Sequence, residues 1–176
     1  MKKWAIVAGC AAVAAVALWL TVFRPSEEDR IRKVLDRFTK AVAVKQDDNI
    51  LSRAGRVNSE LKETVADDVY VDVADFSVRV TNRKDLADNA IKVGVLYNAA
   101  SCELTSMTIK VDDSATTAKV DALAVVNGER GGERKTDKRP VHFLLRKDGT
   151  WKITTIDVAT SRHRDRTERP SGARVV

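Results

Sequence analysis

Phe143-Leu144-Leu145-Arg146-Lys147-Asp148-Gly149-Thr150-Trp151-Lys152-Ile153 reads as two strands and the turn between them. Phe143 and Leu145 fall on one strand parity, and so do Trp151 and Ile153. A period of two puts every second side chain on one face of a sheet. Asp148-Gly149 is a dipeptide that accepts the positive φ a tight hairpin turn requires. The pattern extends both ways, to strands over Pro140–Lys147 and Thr150–Val158.

Two longer runs precede this hairpin. Ala100–Val111 and Thr116–Val126 read as strands joined at Asp112-Asp113-Ser114, whose short polar side chains bond readily to nearby backbone in turns. Between them and the hairpin lies Asn127–Arg139, dense in charge and carrying Gly128, Gly131 and Gly132, which reads as a long solvated loop. Further upstream, Val69, Val71 and Val73 alternate with Tyr70 and Asp72, and Val78 and Val80 mark another short strand.

Helical spacing fills the rest. Pro25-Ser26-Glu27-Glu28-Asp29 is a helix start, with Ser26 as cap and three acids at the positive end of the helix dipole. Ile31, Val34, Leu35, Phe38 and Val42 then form one buried stripe. Ile50-Leu51 opens a short helix expected to end near Gly55, and Asn58 is placed to cap another over Ser59–Ala66. Asn82-Arg83-Lys84-Asp85 leads into a last helix reaching about Val95. Helices that precede and interrupt an antiparallel sheet give an α+β domain, with the long first helix covering one sheet face. The expected core is Leu35, Phe38, Val42, Val71, Ile109, Val120, Phe143, Leu145, Trp151 and Ile153.

This order of elements resembles the nuclear transport factor 2-like superfamily (SnoaL-like, cystatin-like), a cone of curved sheet wrapped around an N-terminal helix. The stretches that carry the likeness are Ile31–Val42, Val80-Thr81-Asn82-Arg83-Lys84-Asp85-Leu86, and the hairpin quoted above, which spans the family's final pair of strands. The likeness covers Glu27 to Val158. It implies a fold and several possible activities, because isomerases, dehydratases, hydrolases, adaptors and scaffolds share that fold. Enzymes of this kind keep an acid, a tyrosine or a histidine inside the cone, as in ketosteroid isomerase. The matching residue types here are Tyr70, Asp72, Asp75, Tyr97, Asp121 and His142, of which Asp72, Asp121 and His142 are the candidate catalytic set. Strand parity puts Tyr70 and Asp72 opposite the apolar Val69-Val71-Val73 face, toward solvent or a subunit contact. Asp121 shares its face with Lys119, and the simplest role for it is a cross-strand ion pair.

Composition narrows the classes. Lys2, Lys3 and Arg24 supply +3 of the net charge of +6, and the tail Ser161–Val176 supplies another +3, so residues 25–160 sum to zero. Phosphate binding needs a concentrated basic face, so no nucleic-acid partner is expected. The chain holds only two histidines and two cysteines, in no metal-ligand spacing, and its glycines match no phosphate loop. No metal or other cofactor is expected. Cys102 reads as a small buried hydrophobe.

The N-terminus sets the expected location. Trp4 to Phe23 is uncharged and apolar, and at about 1.5 Å per residue it spans a bilayer core. Lys2 and Lys3 precede it, which places the start inside and residues after Pro25 outside. The expectation is a single-pass anchor in a bacterial inner membrane, a periplasmic domain over 25–160, and a basic disordered tail over 161–176. Cleavage after Ala14 or Ala17, or lipidation of Cys10 in Val7-Ala8-Gly9-Cys10, stays open. The functional expectation is a membrane-anchored interaction or adaptor domain that binds a protein partner or a second copy of itself. The alternative is a small-ligand binder, or a ketosteroid-isomerase- or dehydratase-like enzyme, with the cone as pocket.

Overall fold

A computed structural model describes residues 25–46, 48–74 and 78–160. The apolar run 4–23 with Cys10, the candidate Asp75, and the tail 161–176 lie outside the described residues. Among the described residues no helix is long and apolar enough to cross a membrane.

The chain runs α1 (Glu27–Val42), α2 (Ile50–Thr64), β1 (Val65–Val73), β2 (Val78–Val80), α3 (Arg83–Leu96), β3 (Ala99–Val111), β4 (Thr117–Arg130), β5 (Glu133–Asp148) and β6 (Thr150–Val158). The strands make one six-stranded sheet in the order β2-β1-β6-β5-β4-β3. It is not wholly antiparallel, as the sequence suggests: β1 pairs with β6 in parallel. The helix and strands between them form a crossover that brings β6 back beside β1, and no hairpin can make that connection. Register irregularities in β1–β6, β3–β4 and β5–β6 mark bulges, which bend strands and curve the sheet.

The register makes one row of six apolar side chains across the inner face: Val80, Val71, Ile156, Phe143, Val120 and Ile109. α1 lies against this face and buries Ile31, Leu35 and Phe38. Phe38 meets Phe143 edge to face, with centroids 6.4 Å apart. Leu145, Trp151 and Ile153 are buried in the same cluster, and Val42 and Ile109 pack against it partly exposed. Among the described residues the cluster runs from Ile31 to Val158.

Two local constraints hold α1 in place. Its start is a capping box, in which Ser26 Oγ accepts from the Asp29 N–H at 3.0 Å and Asp29 accepts in return from the Ser26 N–H. Glu27 then reaches the β5–β6 hairpin. It accepts from Trp151 Nε1 at 2.6 Å and pairs with Lys147 Nζ at 3.0 Å. The Trp151 hydrogen bond, then that of Lys147, holds the Glu27 carboxyl below its ordinary pKa.

Two expectations need correction. Residues 50–64 form one helix, not two. Asn49 caps it, and Arg53, Val57, Leu61 and Thr64 make one buried stripe that carries the helix straight through Gly55. Asn58 caps nothing; its amide donates back to the Ala54 carbonyl at 2.9 Å. Residues 127–139 are not a loop either. β4 and β5 continue in register to a turn at Gly131-Gly132, both at positive φ. The charges that suggested a solvated loop pair across the strands, as in Glu129–Arg134 at 2.8 Å.

Phe38→Ala is expected to cost roughly 3–5 kcal/mol, the usual range for a buried aromatic truncation. Gly55→Ala should stabilise by about 0.5–1 kcal/mol, because an added Cβ there meets nothing within 4 Å and mid-helix glycine costs backbone entropy. Chemical unfolding of residues 25–160 measures both, and the opposite sign at Gly55 would show that the helix is broken there.

Candidate functional site

The sequence candidates converge on the wrong side of the sheet for a pocket. The row beside the apolar one reads, across all six strands, Arg79, Asp72, Asp157, His142, Asp121 and Thr108. Because neighbours along a strand point to opposite faces, this row faces outward wherever the apolar row faces in. Asp72, Asp121 and His142 therefore share one line on the outer face. Asp157, which the sequence reading passed over, lies in register between Asp72 and His142.

His142 Nδ1 lies 2.6 Å from Asp121 Oδ1, and both side chains are more than half exposed. The cross-strand partner of Asp121 is His142, its register neighbour on β5. Asp72 sits 3.9 Å from Arg79, the register partner on β2. A carboxylate that orients an imidazole is half of an acid–base apparatus. Here the dyad stands in water, with Thr108 on one side and Asp157 on the other, and the sheet offers it no wall against solvent. Tyr70 is exposed on the same outer face, and Tyr97 ends α3, half exposed. Cys102 is half-buried in β3, and burial pushes its thiol above the ordinary pKa. Among the described residues no three His, Cys, Asp or Glu side chains stand close enough to hold a metal.

Among the described residues the one buried charged side chain is Arg53, only 3% exposed. Its guanidinium closes the space between the three helices. Nη1 donates to the Ala43 carbonyl at 2.8 Å, and Nη2 donates to Val42 at 3.3 Å and to Ala90 at 2.7 Å. Those carbonyls at the end of α1 have no partner within the helix, so a cation suits them. Asp48 lies 4.0 Å away, held principally by Arg56. The Arg56 hydrogen bond pulls the Asp48 carboxyl down to about 2. Burial is the main cause that lowers the Arg53 pKa, Arg56 adds to it and Asp48 opposes it. Arg53 Nε finds no hydrogen-bond partner among the described residues.

The sequence did hold a signal for Arg53. Stepping back by four from Leu61 and Val57 lands on it, so a charged residue occupies an apolar position of the stripe. Ending the helix at Gly55 hid that spacing. Gly94 completes the lock, since a Cβ there would sit 2.6 Å from Arg53 Nε.

Among the described residues surface clefts open beside the helices and on strands β3–β5. One of about 470 Å³ lies between α2, β1 and the start of α3, lined by Asn58, Lys62, Asp67 and Arg83. Its Arg83 and Asp67 are already paired with each other.

No protein-family model matches the chain, and no curated protein matches it. Solved structures do match in fold. The Kfla4162 protein of Kribbella flavida aligns with a TM-score of 0.63 at 11% identity, covering 77% of this chain and 90% of that one. An NTF2-like protein with a cystatin-like fold from Novosphingobium aromaticivorans gives 0.58 at 16%, covering 87% and 90%. A candidate scytalone dehydratase from the same organism gives 0.59 at 16%, covering 77% and 84%. The domain therefore has the curved-sheet α+β architecture of the nuclear transport factor 2-like fold, and at these identities the likeness is one of fold alone.

Gly94→Ala should destabilise by roughly 1–3 kcal/mol although alanine is the better helix former, because the Arg53 guanidinium must leave its three carbonyls. In an Arg53→Ala background that cost should largely disappear. A double-mutant cycle by chemical unfolding measures the coupling, and strictly additive costs would place Gly94 outside the lock.

Proposed function

We propose that this chain is a non-catalytic interaction domain, held at a bacterial inner membrane by residues 4–23 with residues 25–160 on the periplasmic side. Its contacts are made on the outside of the fold, with a protein partner or a second copy of the chain. One observation carries this reading. Asp72, Asp121 and His142 stand on the outer sheet face, while the inner face is an apolar row packed under α1 with Arg53 closing the end. General acid–base catalysis needs the reacting group held within hydrogen-bond reach of a positioned base. The interior that could hold such a group offers Val, Ile, Phe and Trp side chains. The outer face suits contact instead, because Tyr70 and Leu144 stand exposed beside the charged row.

The alternative is a small-ligand or dehydratase-like enzyme. It is favoured by the 2.6 Å contact of His142 with Asp121 and by the fold shared with the candidate scytalone dehydratase. It requires the dyad to receive substrate on an open sheet surface.

The discriminating experiment uses the tagged full chain, purified from membranes in mild detergent. The expected result is a co-purifying partner or second copy in stoichiometric amount. Asp72→Ala, Asp121→Ala and His142→Ala should retain it, and Tyr70→Asp with Leu144→Asp should lose it. A chain that purifies alone, together with a dehydration or isomerisation activity lost in Asp121→Ala, would establish the enzyme instead.

A further inference from the structure

Most of the large hydrophobic side chains left exposed among the described residues gather at one end of the domain. Leu51 is 82% exposed, Val95 70%, Ile50 62% and Leu96 54%, with Tyr97 and Val126 nearby. Local geometry places them together. α2 and α3 run antiparallel, since Arg53 bonds Ala90 near one end of the pair while Leu61 and Ala87 share a cleft toward the other. The first turn of α2, with Ile50 and Leu51, thus lies beside the last turn of α3. Tyr97 rests against Gly128 of β4, two residues from Val126, and the Asn98 N–H donates to the Glu129 carbonyl at 2.8 Å. The exposed apolar area is on the order of 600 Å², at the top of what single-chain proteins leave in water.

The charge around this patch is one-sided. Lys45 and Lys92 are exposed beside it, and the β4–β5 turn brings Arg130, Arg134 and Lys135. Among the described residues Arg134 pairs with Glu129, Lys135 with Glu133, Arg139 with Asp137 and Arg56 with Asp48, which leaves Lys45, Lys92 and Arg130 as the cationic excess. Two copies meeting through this end would set cation against cation. An apolar centre with a cationic rim instead matches the boundary of an anionic bilayer, where acyl chains lie beneath negative headgroups. We propose that this end of the domain, centred on Ile50, Leu51, Val95 and Leu96, is a docking surface for an anionic lipid membrane.

The patch lies away from the start of α1. Glu27, where α1 starts, is tied to the β5–β6 hairpin, and the patch lies at the other end of that 16-residue helix, about 24 Å away.

The test uses residues 25–160, which contain every described residue of the core cluster and exclude the N-terminal run. The domain is sedimented with vesicles of phosphatidylcholine alone or with about 30% phosphatidylglycerol added, at physiological salt. It should pellet with the anionic vesicles, more weakly as salt rises. Leu51→Asp with Leu96→Asp should cut the bound fraction at least about tenfold, since both face solvent and their burial in lipid supplies the apolar part of binding. Tyr70→Asp with Leu144→Asp, on the outer sheet face, should leave it unchanged. Failure to bind anionic vesicles, or binding that survives the Leu51/Leu96 change, overturns the proposal. Self-association lost in that same variant, without vesicle binding, would give the surface to a second copy and equally overturn it. A null result here leaves the partner experiment on the sheet face untouched, since the two use different residues.

Discussion

Phe38 of α1 meets Phe143 of β5 edge to face, and around that contact the six-residue apolar row of the sheet finds its cover. The constraint that makes the contact possible is register. A slip of one residue along any central strand would turn its inward side chains outward. In β4, β5 and β6 it would bring Asp121, His142 and Asp157 under α1. Burying such groups without partners costs several kcal/mol each. The polar outer row therefore fixes the fold as firmly as the apolar inner row, by making every alternative pairing expensive. A set of residues that resembles chemistry by type is explained, in this position, by what it excludes.

The same alternation determined what was legible in the sequence. Period-two strands with an Asp-Gly turn and a period-3.6 stripe behind a capped start are local signals, and they specified β3, β6 and α1 well, but β1 only from Val69, since Val65 and Ala66, read as the end of a helix, open that strand. Three features escaped because each depends on a partner far along the chain. The strands of residues 127–139 are polar on both faces, so they show no burial alternation, and only the pairing of Glu129 with Arg134 across Gly131-Gly132 makes them a ladder. The continuity of α2 past Gly55 rests on packing that outweighs a weak local helix former. The parallel pairing of β1 with β6 joins residues more than eighty positions apart. For the site, strand parity correctly turned Asp72 outward. The pairing of Asp121 with His142, and the lock of Arg53 with Gly94, required the third dimension.

Arg53 shows how the closed end of the cone is held. An arginine in an apolar stripe is costly, and three main-chain carbonyls offset that cost by receiving its donors, two where α1 ends and one, that of Ala90, within α3. Arg53 thereby ties the end of α1 to α2 and α3, and Gly94 provides the room. With this end closed by a cation, the surfaces proposed for recognition are external: the outer sheet face and the exposed apolar end. Both are available to partners without any opening of the core.

The central claim is that the inner face of the sheet belongs to one filled core and does not line a pocket. Native-state hydrogen exchange on residues 25–160 tests this directly. The backbone amides of β4, β5 and β6 around Val120, Phe143 and Ile156 are predicted to exchange only through global unfolding, with a common free energy equal to that of the whole domain. Exchange of these amides through a local opening of far lower free energy, while α2 and α3 stay protected, would mean that the cone opens by itself and would contradict the account.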